Sequence, residues 1–363
     1  GRAIQLANHC ARAGADTFLA AIQVSSQADA EAVAERIIEY ISTPFKLREN
    51  QLNVRATIGI AMYPEDSEVI EVLPELAESA NGFARDRNQR IGIFDFEHHK
   101  VLHRQIEIEQ GLKDAIENHQ LAIYLQPKYR ISDKSIAGYE ALVRWHHPRE
   151  GFISPGEFVP IAEKSSLGLE LDHYVLVRVF ELIASARATI RDFPPVAINI
   201  TPAHFSRVDF HKLVLAGIAD AKIPMESVEL EITEGAVMER SEEARQNLDA
   251  LRSQGVRIAI DDFGTGYSSL NYLRYLGIDD LKIDKTFVDE VLTEKGKIIV
   301  KSIIDIAAAH DIQVVAEGVE TAQQFELLRE MGCHLCQGYL LSKPLPVDEA
   351  IELFSQQSPA QTQ

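Results

Sequence analysis

Cysteine is scarce in this sequence, with three among 363 residues, and so few exclude a disulfide framework. Two of them stand in Cys333-His334-Leu335-Cys336, which has the spacing of a redox pair. That stretch reads as a short strand, where residues three apart point to opposite faces, whereas a thioredoxin-like pair needs a helix N-terminus. Both thiols are expected to be buried and structural. Long apolar runs are missing too: nothing approaches the roughly 20 residues of a membrane-spanning helix, and no signal peptide opens the sequence. The expected location is cytoplasmic. Basic residues are outnumbered, 36 Lys and Arg against 55 Asp and Glu, for a net charge of −19. That deficit argues against gripping a DNA or RNA backbone, which depends on Lys and Arg displacing counterions. A small phosphodiester remains admissible, but it enters an acidic pocket only if bound cations invert the local field.

What is present suffices for more than one domain. A chain that is 46% hydrophobic and 25% charged can bury a sizeable core; only the tail after Ser355, rich in Gln, Ser and Pro, reads as disordered. The chain is organised around Asp261-Asp262-Phe263-Gly264-Thr265-Gly266-Tyr267, which follows the apolar run Val256, Ile258, Ala259, Ile260. The run reads as a buried strand, Gly-Thr-Gly as a tight turn and the next residues as a helix start. Two carboxylates therefore sit at the C-terminal mouth of a strand. In a parallel α/β protein that is where loops build the active site, and adjacent acids there repel unless a cation or shared proton compensates. Hard oxygen donors at one point suggest Mg²⁺ or Mn²⁺ before zinc. The plainer alternative is a helix N-cap beside a surface acid.

The same design recurs along the chain, with a polar residue inside or just after one short apolar run after another. Gln126, Glu140, Asn199, Glu231, Lys282, Glu317 and Gln337 all stand so. With Asp261 and Asp262 they mark about eight strands, the number that closes a (β/α) barrel. Candidate outer helices are 171–188, 205–219, 242–253, 296–310, 321–331 and 347–354, two of them closed by Gly255 and Gly332 as C-terminal cap glycines. His146 and His147 read as loop structure rather than metal ligands, since a hard ion prefers oxygen.

Glu140-Ala-Leu-Val-Arg144-Trp145, Asp261-Asp262-Phe-Gly-Thr-Gly266, Leu281-Lys282-Ile-Asp284, Ala316-Glu317-Gly-Val-Glu320 and Gln337-Gly-Tyr339 resemble, in order, the motifs of the EAL family, which hydrolyses the bacterial second messenger cyclic di-GMP. The resemblance covers roughly residues 105 to 355 and implies a metal-dependent phosphodiesterase yielding linear pGpG, with two Mg²⁺ or Mn²⁺ per site. Carried over by position, Glu140, Asn199, Glu231 and Asp261 would bind one ion, and Asp261, Asp262 and Glu317 the other. Lys282, with Asp262 and Glu317, would serve catalysis by orienting the attacking water. Gln126, Leu142, Arg144 and Gln337 match substrate-contacting positions, and Arg144 suits a phosphate oxygen. Glu234 and Glu320 look like residues that hold loops. The resemblance also implies a homodimer through the barrel. A catalytically inactive cyclic di-GMP receptor is the alternative within the family; a two-carboxylate barrel glycosidase leaves Lys282 and Asn199 unexplained.

Residues 1–97 form their own unit, with strands expected at 18–24, 52–62 and 91–96 and helices at 29–41 and 69–84. Their order, with Ala11-Arg-Ala-Gly14-Ala15-Asp16-Thr17-Phe18 at the head and Thr57-Ile58-Gly59-Ile60-Ala61 in the middle, resembles the C-terminal half of a GGDEF domain, the diguanylate cyclase module. Thr17 stands where family cyclases carry an acid, so no cyclase activity is expected. The fold class expected is thus α/β, a TIM-like (β/α)8 barrel behind a partial, degenerate α+β GGDEF-like domain. The division expected is 1–97 for that domain, 98–110 for a linker and the start of the leading helix, 111–355 for the barrel and 356–363 for the disordered tail. Upstream sensor domains, a membrane sensor among them, are expected beyond this chain.

Overall fold

The structure, a computed structural model, describes residues 9–14, 16–47, 50–52, 54–238, 241–264 and 277–357. It divides into two compact units, Gly1–Glu107 and Ile108–Gln363.

In the first unit, strands Ile58–Ile60 and Ile91–Ile93 pair in parallel, and the helix Leu73–Asp86 lies directly on them. A Cβ on Gly59 would stand 1.9 Å from the Ala77 carbonyl oxygen and one on Gly92 2.0 Å from that of Ala80, so only glycine permits the approach. A second helix, Gln27–Ser42, starts at Ser26, whose hydroxyl accepts from the Asp29 amide, as N-caps do. Phe18–Ala21 pairs antiparallel with His9–Arg12, and the Ala13 and Gly14 amides donate to the Thr17 carbonyl in the turn between them; Ala15 lies outside the described residues. The single strand expected over 52–62 is instead two short ones, Asn50–Leu52 and Ile58–Ile60.

The second unit is a closed barrel of eight strands: β1 Leu121–Arg130, β2 Ile136–His147, β3 Val196–Ile200, β4 Val228–Thr233, β5 Arg257–Phe263, β6 Asp280–Ile283, β7 Gln313–Ala316 and β8 Leu335–Cys336. Pairing runs in sequence order and β1 closes on β8. The departure from a uniform (β/α)8 barrel is β1, which is antiparallel to both neighbours. A five-residue turn joins it to β2, with the Lys134 amide on the Arg130 carbonyl and Asp133 Oδ1 accepting from the Ser135 amide. A hairpin needs no crossover helix, whereas a parallel connection does. The helices Leu167–Thr189, Phe210–Ala221, Glu242–Ser253, Glu294–Ala308, Ala322–Glu330 and Val347–Gln357 follow later strands. Of the expected tail, residues 358–363 lie outside the described residues.

Strand alternation sorts this barrel into two chemistries. Val196, Ile198 and Ile200, Val228, Leu230 and Ile232, Ile258 and Ile260, and Leu281 and Ile283 belong to the apolar core shared with the helices. Their neighbours in sequence face the barrel axis and are largely polar: Asn199, Glu229 and Glu231, Arg257 and Asp261, Asp280 and Lys282. Ala197 and Ala259, both buried, are the small inward residues that leave room for long charged chains. A typical barrel of this class fills its interior with branched apolar side chains; here the interior is an ionic network.

At the barrel floor, Lys128 Nζ lies 2.6 Å from Glu229 Oε1, and Arg257 bridges Glu229 and Asp280 at 3.1 Å each. Asp280 is buried and its Oδ1 has no hydrogen-bond partner. Burial, then the charge of Glu229, push its carboxyl from an ordinary 3.8 to about 7, against the pull of Arg257 and Lys128. The folded chain therefore holds a proton that the unfolded chain has already released between those two values, and stability falls as pH rises through that window. Asp280→Asn is expected to flatten this part of the profile; urea unfolding of both proteins between about pH 4 and 7 checks it, and an unchanged slope would count against the assignment.

Candidate active site at the barrel mouth

The site is built around one ammonium. Lys282 projects inward from β6 with its side chain 1% exposed, and Nζ lies 2.7 Å from Glu231 Oε2, 2.7 Å from Glu317 Oε1, 3.2 Å from Asp261 Oδ1 and 3.8 Å from Glu140 Oε1. Four strands or strand ends thus deliver a carboxylate to one point, because each residue stands on the inward parity of its strand. Glu140 is held further: Asn199 Nδ2 donates to Oε1 at 2.8 Å and Gln337 Nε2 to Oε2 at 2.6 Å. Gln337 Nε2 also donates to Gln126 Oε1 at 2.9 Å. The antiparallel β1 places Gln126 directly opposite Glu140.

Charge in this cluster is unbalanced. Burial works against the Lys282 ammonium, but the carboxylates around it, Glu140 and Glu231 foremost, outweigh burial and hold it protonated. Burial and the negative Glu140 push Glu231 up to about 7 in spite of two lysines. Burial pushes Glu317 up to about 8, Asp261 and Glu140 adding to it and Lys282 opposing. Glu140 is drawn down, Lys282 and Lys128 overcoming its burial. Two of the four acids thus resist ionisation for want of positive charge, the condition in which bound cations stabilise a site.

Asp262 stands at the rim. The β5–β6 register shifts between Ile260 and Phe263, and Asp262 has φ of 52°, a bulge that re-aims a side chain out of strict alternation. Consecutive acids can then serve one mouth. Burial, then Asp261 and Asp284, raise the Asp262 carboxyl. Glu234 Oε2 accepts from the Gly264 amide at 3.2 Å, so it fixes the first residue of the loop after β5; Thr265 and the residues to 276 lie outside the described ones. Leu142 and Arg144 continue the inward face of β2 above Glu140, both half-buried. Arg144 lies over the Tyr124 ring and meets none of the four acids. Glu320 is exposed and holds Lys285 at 2.7 Å, outside the cluster. His146 and His147, expected in a loop, are instead the last residues of β2, paired with Phe152 and Gly151, and His147 Nδ1 accepts from the amides of Arg149 and Glu150 in the turn that follows. Burial raises the Cys333 and Cys336 thiols to about 12, so neither is reactive.

Sequence reasoning overlooked Lys128, whose Nζ lies 2.7 Å from Glu231 Oε1. The signal was available: Gln126 and Lys128, Glu229 and Glu231, and Asp280 and Lys282 are three pairs two residues apart, each a pair of inward positions.

The donors at the mouth are carboxylate and amide oxygens, which suit a hard divalent cation rather than zinc or copper. Among the described residues no group of three or more acids, histidines or cysteines is arranged to hold a metal ion as they stand; the Lys282 ammonium occupies the point where the carboxylates converge. The mouth of this barrel gathers hard oxygen donors about a buried lysine, and comparison with known proteins says which family of barrels it belongs to. The EAL domain model matches residues 109–344 and the GGDEF diguanylate cyclase model residues 2–90. The chain belongs to the EAL family, with a GGDEF-like part in front.

It is 33% identical over 343 residues to the bifunctional diguanylate cyclase/cyclic di-GMP phosphodiesterase MucR of Pseudomonas aeruginosa, covering 94% of this chain and 50% of that protein. It is 34% identical over 350 residues to the cyclic di-GMP phosphodiesterase NbdA of the same organism, covering 95% of this chain and 44% of that protein. The chain thus spans about half the length of these relatives. Among solved structures, the MucR phosphodiesterase in complex with cyclic di-GMP aligns with a TM-score of 0.65 at 34% identity, over 67% of this chain and 99% of that one.

Lys282→Met would leave Glu231 and Glu317 without their buried counter-ion, and breaking a buried pair in this way costs about 3–5 kcal/mol. Urea unfolding in the presence of a chelator is the check. A loss under about 1 kcal/mol would mean that the carboxylates carry no net charge in the folded chain.

Proposed function

We propose that the barrel hydrolyses cyclic di-GMP to linear pGpG with the help of two divalent cations, Mg²⁺ or Mn²⁺. The observation that carries the proposal is the convergence of Glu140, Glu231, Asp261 and Glu317 on Lys282 within 4 Å, a surplus of hard oxygen donors over positive charge. Membership of the EAL family and the phosphodiesterase names of MucR and NbdA support the same reading.

Glu140, Asn199, Glu231 and Asp261 would hold one cation, and Asp262 and Glu317 the second, with Asp261 shared. Such a pair of ions supplies an acidified water and neutralises charge developing on the phosphoryl oxygens. The chain's own residues do the rest. Lys282 is a buried donor reaching every carboxylate of the cluster, placed to orient the water that attacks phosphorus. Water adds across one P–O bond of the cyclic diester, and the departing sugar oxygen takes a proton. Arg144, above Glu140 on the same strand face, would meet a phosphate oxygen; Gln337, which donates to both Gln126 and Glu140, and Gln126, which donates to the Ser342 carbonyl, would line the wall beside the substrate.

Asp261→Asn removes the shared charge and is expected to abolish pGpG formation while cyclic di-GMP still binds. Chromatography of the products, with calorimetry for binding, tests it, and wild-type turnover at saturating Mg²⁺ would overturn the two-cation reading.

Glu234→Ala frees the Gly264 amide. Gly264 has φ of +95°, a conformation without a side chain to hold it, so the loop root that carries Asp261 and Asp262 loses its fixed orientation. Loss of such a supporting partner commonly costs about 10–100-fold in metal affinity or activity. The expected result is a higher Mg²⁺ requirement with lower turnover, read from metal-dependent kinetics; values matching the unaltered chain would reduce Glu234 to a partner of no catalytic consequence.

A further inference from the structure

A cavity of about 360 Å³ lies at the end of the barrel opposite the mouth. Because β1 runs antiparallel to its neighbours, its last residues reach this floor and meet the first residues of β4 to β8 there. Lys128, Arg130, Glu229, Arg257, Asp280 and His334 all line the space. Of these side chains only Lys128 is bonded to a residue of the mouth, Glu231. Barrels of this class keep their sites at the C-terminal face and use the opposite face for stability, a task for which a filled, neutral floor would suffice.

This floor is neither filled nor neutral. In spite of burial, Lys128 and Arg257 draw Glu229 down to about 2, whereas burial and the charge of Glu229 push Asp280 up to about 7. While Asp280 holds its proton, three cations face one carboxylate in a chain whose net charge is −19. The buried base of the cavity is Lys128, Glu229 and Asp280; Arg130 and His334 form an exposed rim. Several donors there are uncommitted. Arg257 gives Nε to Glu229 and Nη2 to Asp280, leaving Nη1. Arg130 gives Nη1 to Ser135 Oγ and the Ile136 carbonyl, leaving Nε and Nη2. The Val314 amide donates to His334 Nδ1 at 3.1 Å, so the ring carries its proton on Nε2. Asp280 lines the same space with an Oδ1 that has no partner, and in its protonated form it is a further donor.

We propose that the floor cavity is a binding site for a small phosphomonoester, with the phosphoryl group on Arg130, Arg257 and His334 and the organic part against Ala137, Pro195 and Leu335. The chemistry of the donors selects the ligand. A phosphoryl group on an ester carries close to two negative charges at neutral pH and three acceptor oxygens, enough for two guanidiniums and an imidazole N–H together. A carboxylate brings one charge and two oxygens and leaves one of those donors unmet. Guanidinium groups also match phosphate oxygens in pairs. The cavity is larger than a phosphoryl group, and its wall of Ala137, Pro195 and Leu335 gives an attached sugar an apolar surface to lie on.

Calorimetry on the full chain tests this, with a chelator present so that no bound cation draws anions to the mouth. The probes are ribose 5-phosphate, inorganic phosphate and ribose. Ribose 5-phosphate is expected to bind, inorganic phosphate to bind more weakly and ribose to give no heat. Arg130→Met and His334→Asn are each expected to weaken ribose 5-phosphate by about tenfold or more, the usual loss for one hydrogen bond to a charged group. Both positions are exposed, and an Asn at 334 still offers an oxygen to the Val314 amide, so the fold is spared. Arg144→Met, at the mouth, is expected to leave the affinity as it was. Three results overturn the proposal: no binding of ribose 5-phosphate at millimolar concentration, an ester that binds no more tightly than inorganic phosphate, or an affinity lost with Arg144 and kept in the two floor variants. A crystal structure of the unaltered chain with ribose 5-phosphate decides the matter without any variant. Its phosphoryl group on Arg130 and Arg257 supports the site, and an empty floor refutes it.

Discussion

Everything at the mouth depends on the balance between one buried ammonium and the carboxylates that share it. Lys282 could not stay charged in a dry barrel without Glu231 and Glu317 at 2.7 Å, and those acids could not ionise together without it. Isolated, either partner would carry the desolvation penalty of an unpaired buried ion. The cluster is nonetheless left short of positive charge, with two of its carboxyls pushed toward neutrality. A barrel interior packed with Val and Leu would be a better scaffold and a useless site; this one gives up apolar filling on its axis and keeps it between strands and helices.

The network is continuous from mouth to floor. Glu231 joins Lys282 to Lys128, Lys128 joins Glu231 to Glu229, and Arg257 carries the chain on to Asp280. Only two strand levels separate the ends, because inward positions recur every second residue. The small residues Ala197 and Ala259 lie on the same inward parity, and their size gives the lysine stems somewhere to run. The reversed first strand matters for the same reason: running antiparallel, β1 sets Gln126 at the level of Glu140 and Lys128 below it.

In the first unit the constraint is steric rather than electrostatic. Gly59 and Gly92 let the helix Leu73–Asp86 press onto two short strands at distances no Cβ would allow. The GGDEF model matches residues 2–90, a range that includes this packed strand and helix pattern.

Alternation of apolar and polar residues was enough, without coordinates, to place Glu140, Asn199, Glu231, Asp261, Lys282 and Glu317 inside or just after short strands, since strand period alone decides which side of a barrel wall a residue takes. The helices 242–253 and 347 onward were legible from their apolar spacing, and the end of the first from Gly255. Three things needed the tertiary structure. The direction of β1 is set by a five-residue turn and the closing pair with β8, and no pattern within a strand records which way its neighbours run. The placement of Asp262 depends on a bulge and a left-handed backbone. The role of Lys128 depends on which carboxylates, about 100 residues away along the chain, meet it on the axis. Sequence determined the inward parity of each polar residue because that is local geometry; which of them share a proton, a cation or a counter-ion is fixed only when distant strands close the ring.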